Sequence, residues 1–236
     1  MHTIERLYTG IGGRFVTKPE VIAERLKGIK AFVFDWDGVF NNGQKMAGTG
    51  SSFSEVDSMG TNLLRFSFYL QHSNHPICAV ISGEKNEPAF YFSEREGFQY
   101  SFYKVAHKAQ ALATLCERAG ICPAEVAYFF DDVLDLPIAE QCGLRILVNQ
   151  KINPLFQQYC IQHQLADYIC AASGGQFAVR EATELLIGLN ENYDQVISER
   201  TNNSSNYQKY ITERRTLKTT FFTLTESGIV EMPRPA

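Results

Sequence analysis

Six apolar runs of strand length punctuate the chain: AFVFD (31–35), ICAVIS (77–82), FQYSF (98–102), VAYFF (126–130), RILVN (145–149) and DYIC (167–170). Runs that stay apolar at successive positions, instead of alternating, describe strands buried on both faces. The stretches between them are long enough for helices. Residues 107–119 (HKAQALATLCERA) place Ala109, Leu112, Leu115, Cys116 and Ala119 at helical spacing, and Gly120 follows as a stop signal. Residues 133–142 and 176–189 read the same way, and a shorter helical pattern covers 18–28. This alternation predicts a three-layer α/β fold with a Rossmann-like, doubly wound parallel sheet of five or six strands. Ligands of such sheets bind beyond the carboxyl ends of the strands.

Composition narrows the partners. The 236 residues are 44% hydrophobic and 20% charged with a net charge of −4, an ordinary globular balance. No basic excess points to nucleic acid, and no apolar stretch approaches a membrane span. The N-terminus shows no signal-peptide pattern. Six cysteines (Cys78, Cys116, Cys122, Cys142, Cys160 and Cys170) form no CxxC pair, so reduced thiols in a cytoplasmic protein are expected.

Three segments are expected. Residues 1–28 form an N-terminal lead with a short helix, 29–190 the main domain, and 191–236 a polar C-terminal extension. Within the main domain, the glycine-rich stretch 41–56 (NNGQKMAGTGSSFSEV) predicts a small β-hairpin flap in place of a large cap domain. The extension reads as a frayed helix and a mobile tail, with FFTLTESGIV (221–230) forming one strand or docking on a neighbour.

Asp35 and Asp37 end the first long apolar run, in AFVFDWDGVF (31–40). An isolated buried carboxylate costs on the order of several kcal/mol, so these acids call for a compensating cation. Three further groups stand at corresponding places: Ser82-Gly83 after the second run, Lys108 at a helix start, and Asp131-Asp132 with Asp135 after a later run. Carboxylates crowded at one sheet edge with few imidazoles nearby select Mg²⁺. One carboxylate can then attack phosphorus, a second can move the proton, and a hydroxyl and an ammonium can hold the phosphoryl oxygens.

Together, DWDGVF, ISG, the HKAQAL lysine, FFDDVLDLP and GGQFAVRE resemble the haloacid dehalogenase superfamily of phosphatases. The resemblance runs over about residues 29–190 and is nearest to the capless branch of 3-deoxy-D-manno-octulosonate 8-phosphate phosphatases, which includes enzymes acting on nonulosonate 9-phosphates. It implies Asp35 as nucleophile and Asp37 as general acid/base. It implies Mg²⁺ held by Asp35, Asp37 (through its backbone carbonyl) and Asp131, with Asp132 and Asp135 in support. Ser82, Gly83 and Lys108 would bind the phosphoryl group, with Lys108 also serving catalysis. Glu84, Asp57 and Arg180 would lie at the substrate rim. A homotetramer is implied as well, with the segment around Gly174, Gly175 and Arg180 reaching a neighbouring site.

The chain departs from the family pattern at Phe130, Glu84, Asn41-Asn42 and Val56. Glu84 and Val56 stand where relatives carry cations, which predicts a changed sugar pocket. The substrate expected is a phosphorylated sugar acid. The alternatives are another small phosphorylated metabolite, or a catalytically weak oligomerisation or binding module related to synthetase fusions. Lys104 is read as a solvated charge, His107 as an ordinary helix-start residue, and Trp36 and Phe130 as core.

Overall fold

The computed structural model describes residues 2–45 and 50–235. In chain order its elements are α1 (His2–Gly10), β1 (Arg14–Phe15), α2 (Pro19–Leu26), β2 (Ala31–Phe34), α3 (Glu55–His72), β3 (Ile77–Ile81), α4 (Glu87–Glu96), β4 (Tyr100–Tyr103) and α5 (Lys108–Ala119). There follow β5 (Val126–Phe130), α6 (Leu136–Ala139), β6 (Leu144–Leu147), α7 (Pro154–Gln162), β7 (Tyr168–Ile169), α8 (Ala178–Leu189), α9 (Tyr193–Thr201), α10 (Ser205–Arg214), β8 (Thr220–Thr225) and β9 (Gly228–Met232).

Among the described residues the strands form one nine-stranded sheet in the order β1-β7-β6-β5-β2-β3-β4-β8-β9. All neighbours from β7 to β8 are parallel, while β1 and β9 run antiparallel at the two edges. In β2 every residue is buried, and its alternation feeds two separate cores. Phe32 and Phe34 join α2, α3 and α8 on one face, and Ala31 and Val33 join α5 and α6 on the other. Two covered faces explain why the strands read as continuous apolar runs.

Helix ends follow local chemistry. Ser54 caps α3 by accepting from the Val56 N–H at 3.0 Å. Gly97 and Gly120 take left-handed φ of 65° to close α4 and α5.

One expectation needs revision. The polar segment after residue 190 is not a frayed helix and mobile tail. It folds into α9, α10 and the β8–β9 hairpin, which lengthens the sheet beyond five or six strands. Phe221 and Phe222, both buried, supply the apolar drive, and Tyr207 and Tyr210 anchor α10 on the core. The expected hairpin flap covers 41–56, of which residues 46–49 lie outside the described residues. Residues 42–45 and 50–54 on either side carry no strand, and α3 begins at Glu55.

Candidate active site

Asp35 directly follows β2, and its N–H donates to the Phe129 carbonyl of β5 at 2.9 Å, so its position is fixed by the ladder. Helix α5 covers the β2 face that carries Ala31 and Val33. Its first residue, Lys108, is thereby delivered to the carboxyl ends of the strands. Lys108 Nζ lies 2.6 Å from Asp35 Oδ1 and 2.6 Å from Asp135 Oδ1, with all three side chains buried. The Tyr128 hydroxyl, on β5, also donates to Asp135 Oδ1 at 2.5 Å, and the Asp132 N–H donates to Asp135 Oδ2 at 3.3 Å. Asp135 is thus a fully engaged support for Lys108.

Oxygens of Asp35, Asp131 and Asp135 all lie within 4.8 Å of one another. Burial, then the Asp135 charge, pushes Asp35 up to about 7 against the pull of Lys108. Burial and the charges of Asp35 and Asp135 push Asp131 up to about 8. Burial works against the Lys108 charge, but the two carboxylates more than offset it and hold its pKa above the ordinary lysine range. Crowded hard oxygen donors whose ionisation is resisted in this way fit a divalent cation such as Mg²⁺.

Asp37 projects over the same cavity, oriented by Ser51 Oγ at 2.6 Å, Asn86 Nδ2 at 2.9 Å and Lys45 Nζ at 3.5 Å. The cavity holds about 570 Å³ and is lined by Asp35, Asp37, Gly83, Glu84, Lys108 and Asp131, with Asp132 and Asp135 beside them. Glu84 is exposed and lies 3.8 Å from Lys45. Ser82 is 2% exposed and sits beneath the lining, its Oγ accepting from the Glu84 N–H at 3.2 Å. Asp132 is exposed and accepts from the Val133 N–H at 2.7 Å.

The turn after Asp37 is packed without slack. Gly38 has φ +85°, and a Cβ there would fall 2.0 Å from Asp131 Oδ2. Asn41 knits the turn by accepting from the Gly43 N–H at 2.9 Å and donating to the Trp36 carbonyl at 3.1 Å. Gln150 Nε2 donates at 2.7 Å both to the Gly38 carbonyl and to Asp131 Oδ2.

Asp57 and Arg180 both stand apart from the acidic cavity of their own chain. Asp57 is fully buried at 0% exposure, and its Oδ1 accepts from the Arg180 N–H at 2.9 Å, tying α3 to the start of α8. Burial is what raises its pKa to about 6, against the pull of that N–H. The Arg180 side chain turns to Glu184 at 2.9 Å. Arg180 and Val56 line a separate apolar groove with Leu7, Ile11 and Phe177, away from the acidic cavity. Gly174 and Gly175 back the Gly38–Asn42 turn of their own chain. Lys104 and His107 are exposed and outside the cavity lining, and Trp36 and Phe130 are core.

Lys45, Gln150, Ser51, Asn86 and Tyr128 were not anticipated. Gln150 has one sequence signal, its place just beyond the run RILVN, at the same sheet edge as the acids.

No family model matches the chain. Among curated proteins, the 3-deoxy-D-manno-octulosonate 8-phosphate phosphatase of Escherichia coli K12 is 28% identical over 172 residues, covering 71% of this chain and 84% of that protein. Among solved structures, the octulosonate 8-phosphate phosphatase of Moraxella catarrhalis, crystallised with magnesium, phosphate and KDO, is 28% identical. It matches with a TM-score of 0.62 over 75% of this chain and 96% of that one. A Legionella pneumophila chain assigned to haloacid dehalogenase subfamily III A is 26% identical, with a TM-score of 0.64 over 80% of this chain and 94% of that one. The homologues of this chain are therefore haloacid dehalogenase superfamily hydrolases of the octulosonate 8-phosphate phosphatase-like branch that its motifs resemble.

Proposed function

We propose that the chain is a Mg²⁺-dependent phosphomonoester phosphatase working through an aspartyl-phosphate on Asp35, with a phosphorylated sugar acid as its substrate. An octulosonate 8-phosphate or a nonulosonate 9-phosphate fits that class. The observation that carries this reading is the buried Lys108, 2.6 Å from Asp35 and flanked by Asp131, at the carboxyl ends of the central strands. The names of the relatives support it.

An Asp35 carboxylate oxygen attacks phosphorus, and the bond from phosphorus to the ester oxygen breaks. Asp37, held by Ser51 and Asn86, gives its proton to the departing alkoxide. Asp37 then takes a proton from water as the water oxygen attacks phosphorus. The bond to Asp35 breaks, and free phosphate leaves with the carboxylate restored. Lys108 holds Asp35 in line and faces the phosphoryl oxygens, while Gly83 and Ser82 shape the turn beside them. Asp35, Asp131 and the Asp37 backbone carbonyl are the groups that would hold Mg²⁺, which when bound neutralises the carboxylates and the phosphoryl charge.

The identity of the metabolite turns on the rim. Lys45 and Lys108 are the cations of the cavity lining among the described residues, and Lys108 is committed to two carboxylates. That scarcity favours, as a second reading, a phosphate ester without a carboxylate. The apolar groove along α1 and α8 supports assembly of copies into the expected homotetramer, and the six free cysteines suit a cytoplasmic setting. Phosphate release from a panel of acidic and neutral sugar phosphates, with Mg²⁺ and with a chelator, tests the function. No release from any ester in the presence of Mg²⁺ would leave only the binding-module reading.

A further inference from the structure

The C-terminal helices close a second cavity of about 280 Å³ against α3 and α4, built from residues that do not line the acidic one. Its charge is opposite in sign. Arg95, Arg200, Arg214 and Arg215 line it, against two carboxylates, Glu55 and Glu96. Both carboxylates are already engaged. Arg95 forks onto Glu55, one arm at 2.7 Å, and Arg214 reaches Glu96 at 2.8 Å, where Ser58 Oγ also donates at 2.9 Å. Arg200 and Arg215 have no carboxylate partner among the described residues.

Two buried polar atoms of this lining also find no hydrogen-bond partner among the described residues. Arg200 lies 4.5 Å over the Tyr207 ring, and its Nε is buried with no acceptor. Asn62 lines the cavity at 8% exposure, and its Oδ1 has no donor. Unpaired buried polar groups are rare in native interiors and point to a missing partner. A partner for this set must offer anionic oxygens to guanidinium forks and a hydroxyl to the Asn62 oxygen.

We propose that this cavity binds the phosphoryl group of a small hydroxylated phosphate ester, at a site distinct from the acidic cavity. The guanidinium groups of Arg200 and Arg215 take the phosphoryl oxygens, and Asn62 accepts from a hydroxyl. The site depends on α9 and α10, because Arg200 and Arg214 come from those helices and Arg215 follows directly. Its contact with the first turn of α3 places it on the element that begins just after Ser51, the residue that orients Asp37.

The test is calorimetric titration of the full chain with inorganic phosphate, in chelator and at constant ionic strength. Without metal, the carboxylates of the acidic cavity repel phosphate. Saturable one-to-one binding is expected, weakened about tenfold or more by Arg200→Ala and by Arg215→Ala, each removing a charge-assisted fork. Lys45→Ala, at the other cavity, should leave it unchanged. Absence of saturable binding overturns the proposal, as does binding that survives both arginine substitutions or is lost with Lys45. Arg215 is exposed, so its variant reports even where Arg200→Ala fails to fold.

Discussion

A Cβ built on Gly174 would lie 2.0 Å from the carbonyl oxygen of Gly38, and 2.3 Å from that of Asn41. The segment before α8 is thereby pressed against the turn that follows Asp37. Gly38 is confined from the other side by Asp131, so the turn is fixed between a metal-ligand candidate and a glycine backbone.

Gly174→Ala should displace this turn, because backbone oxygens cannot yield as a flexible side chain does. Overpacking of this kind costs about 1–3 kcal/mol. Moving Asp37 by a fraction of its hydrogen-bond reach should lower kcat about 100-fold. Gly83→Ala is the control. Gly83 lines the cavity, yet a Cβ there meets no protein atom within 4 Å, so its melting temperature should stay near wild type. Thermal melts on the pair, with steady-state kinetics on Gly174→Ala, separate contact from mere proximity to the site.

Asp35→Asn keeps the side-chain volume and removes the attacking charge. A loss of kcat of about 10³-fold or more is expected, with the far-UV spectrum unchanged. Acid-quenched wild-type enzyme should retain phosphate label that Asp35→Asn lacks. Turnover within about tenfold of wild type would take Asp35 out of the nucleophile's role.

Asp57 predicts a pH dependence of stability remote from the chemistry. Its carboxyl rises from an ordinary 3.8 to about 6 in the folded chain, so the folded state holds its proton where the unfolded state has lost it. Stability from this group is therefore fullest below about pH 4, falls as pH rises towards about 6, and is flat above that. Asp57→Asn retains an acceptor for the Arg180 N–H and places no charge against the orphaned Oδ2 position. Urea unfolding of both proteins across this window should show a shallower pH slope in the variant. Identical slopes would mean that Asp57 ionises normally.

Lys45 lies 3.5 Å from Asp37 and 3.8 Å from Glu84, and it tempers the negative rim at half-exposure. Lys45→Ala should raise KM for a phosphate ester about fivefold, the scale of one screened surface charge. Glu84→Arg should raise kcat/KM for an ester carrying a carboxylate more than for a neutral one. Equal changes for a matched pair of substrates at constant ionic strength would show that Glu84 does not read the sugar.

The parallel sheet and the acidic cluster were legible because both rest on local patterns. AFVF is apolar on both faces, and the acids that end it must then emerge at the carboxyl edge, where Lys108 opens the helix covering that face. Asp57 misled for a physical reason. Its place at the rim came from the resemblance alone, whereas this carboxylate accepts an N–H from a residue 123 positions away, a tertiary bond with no local signature. The same holds for β8. Its partner β4 lies far back in the chain, and nothing near Phe221 shows that an open sheet edge awaits it. Lys45 sits in an irregular segment whose composition carries no periodicity.

The β8–β9 hairpin has a consequence for how copies of this chain meet one another. Without it, Tyr100–Tyr103 of β4 would present a bare row of amides and carbonyls, a template that any extended segment of another molecule could extend. The hairpin occupies that row and moves the rim outward to β9, where Glu231 is exposed and Arg234 just beyond clasps Glu87 and Glu94 of α4 at 2.5 and 2.8 Å. A charged, tethered rim is a poor seed for intermolecular strand addition. The polar C-terminal stretch thus leaves no bare β4 row for another molecule to extend.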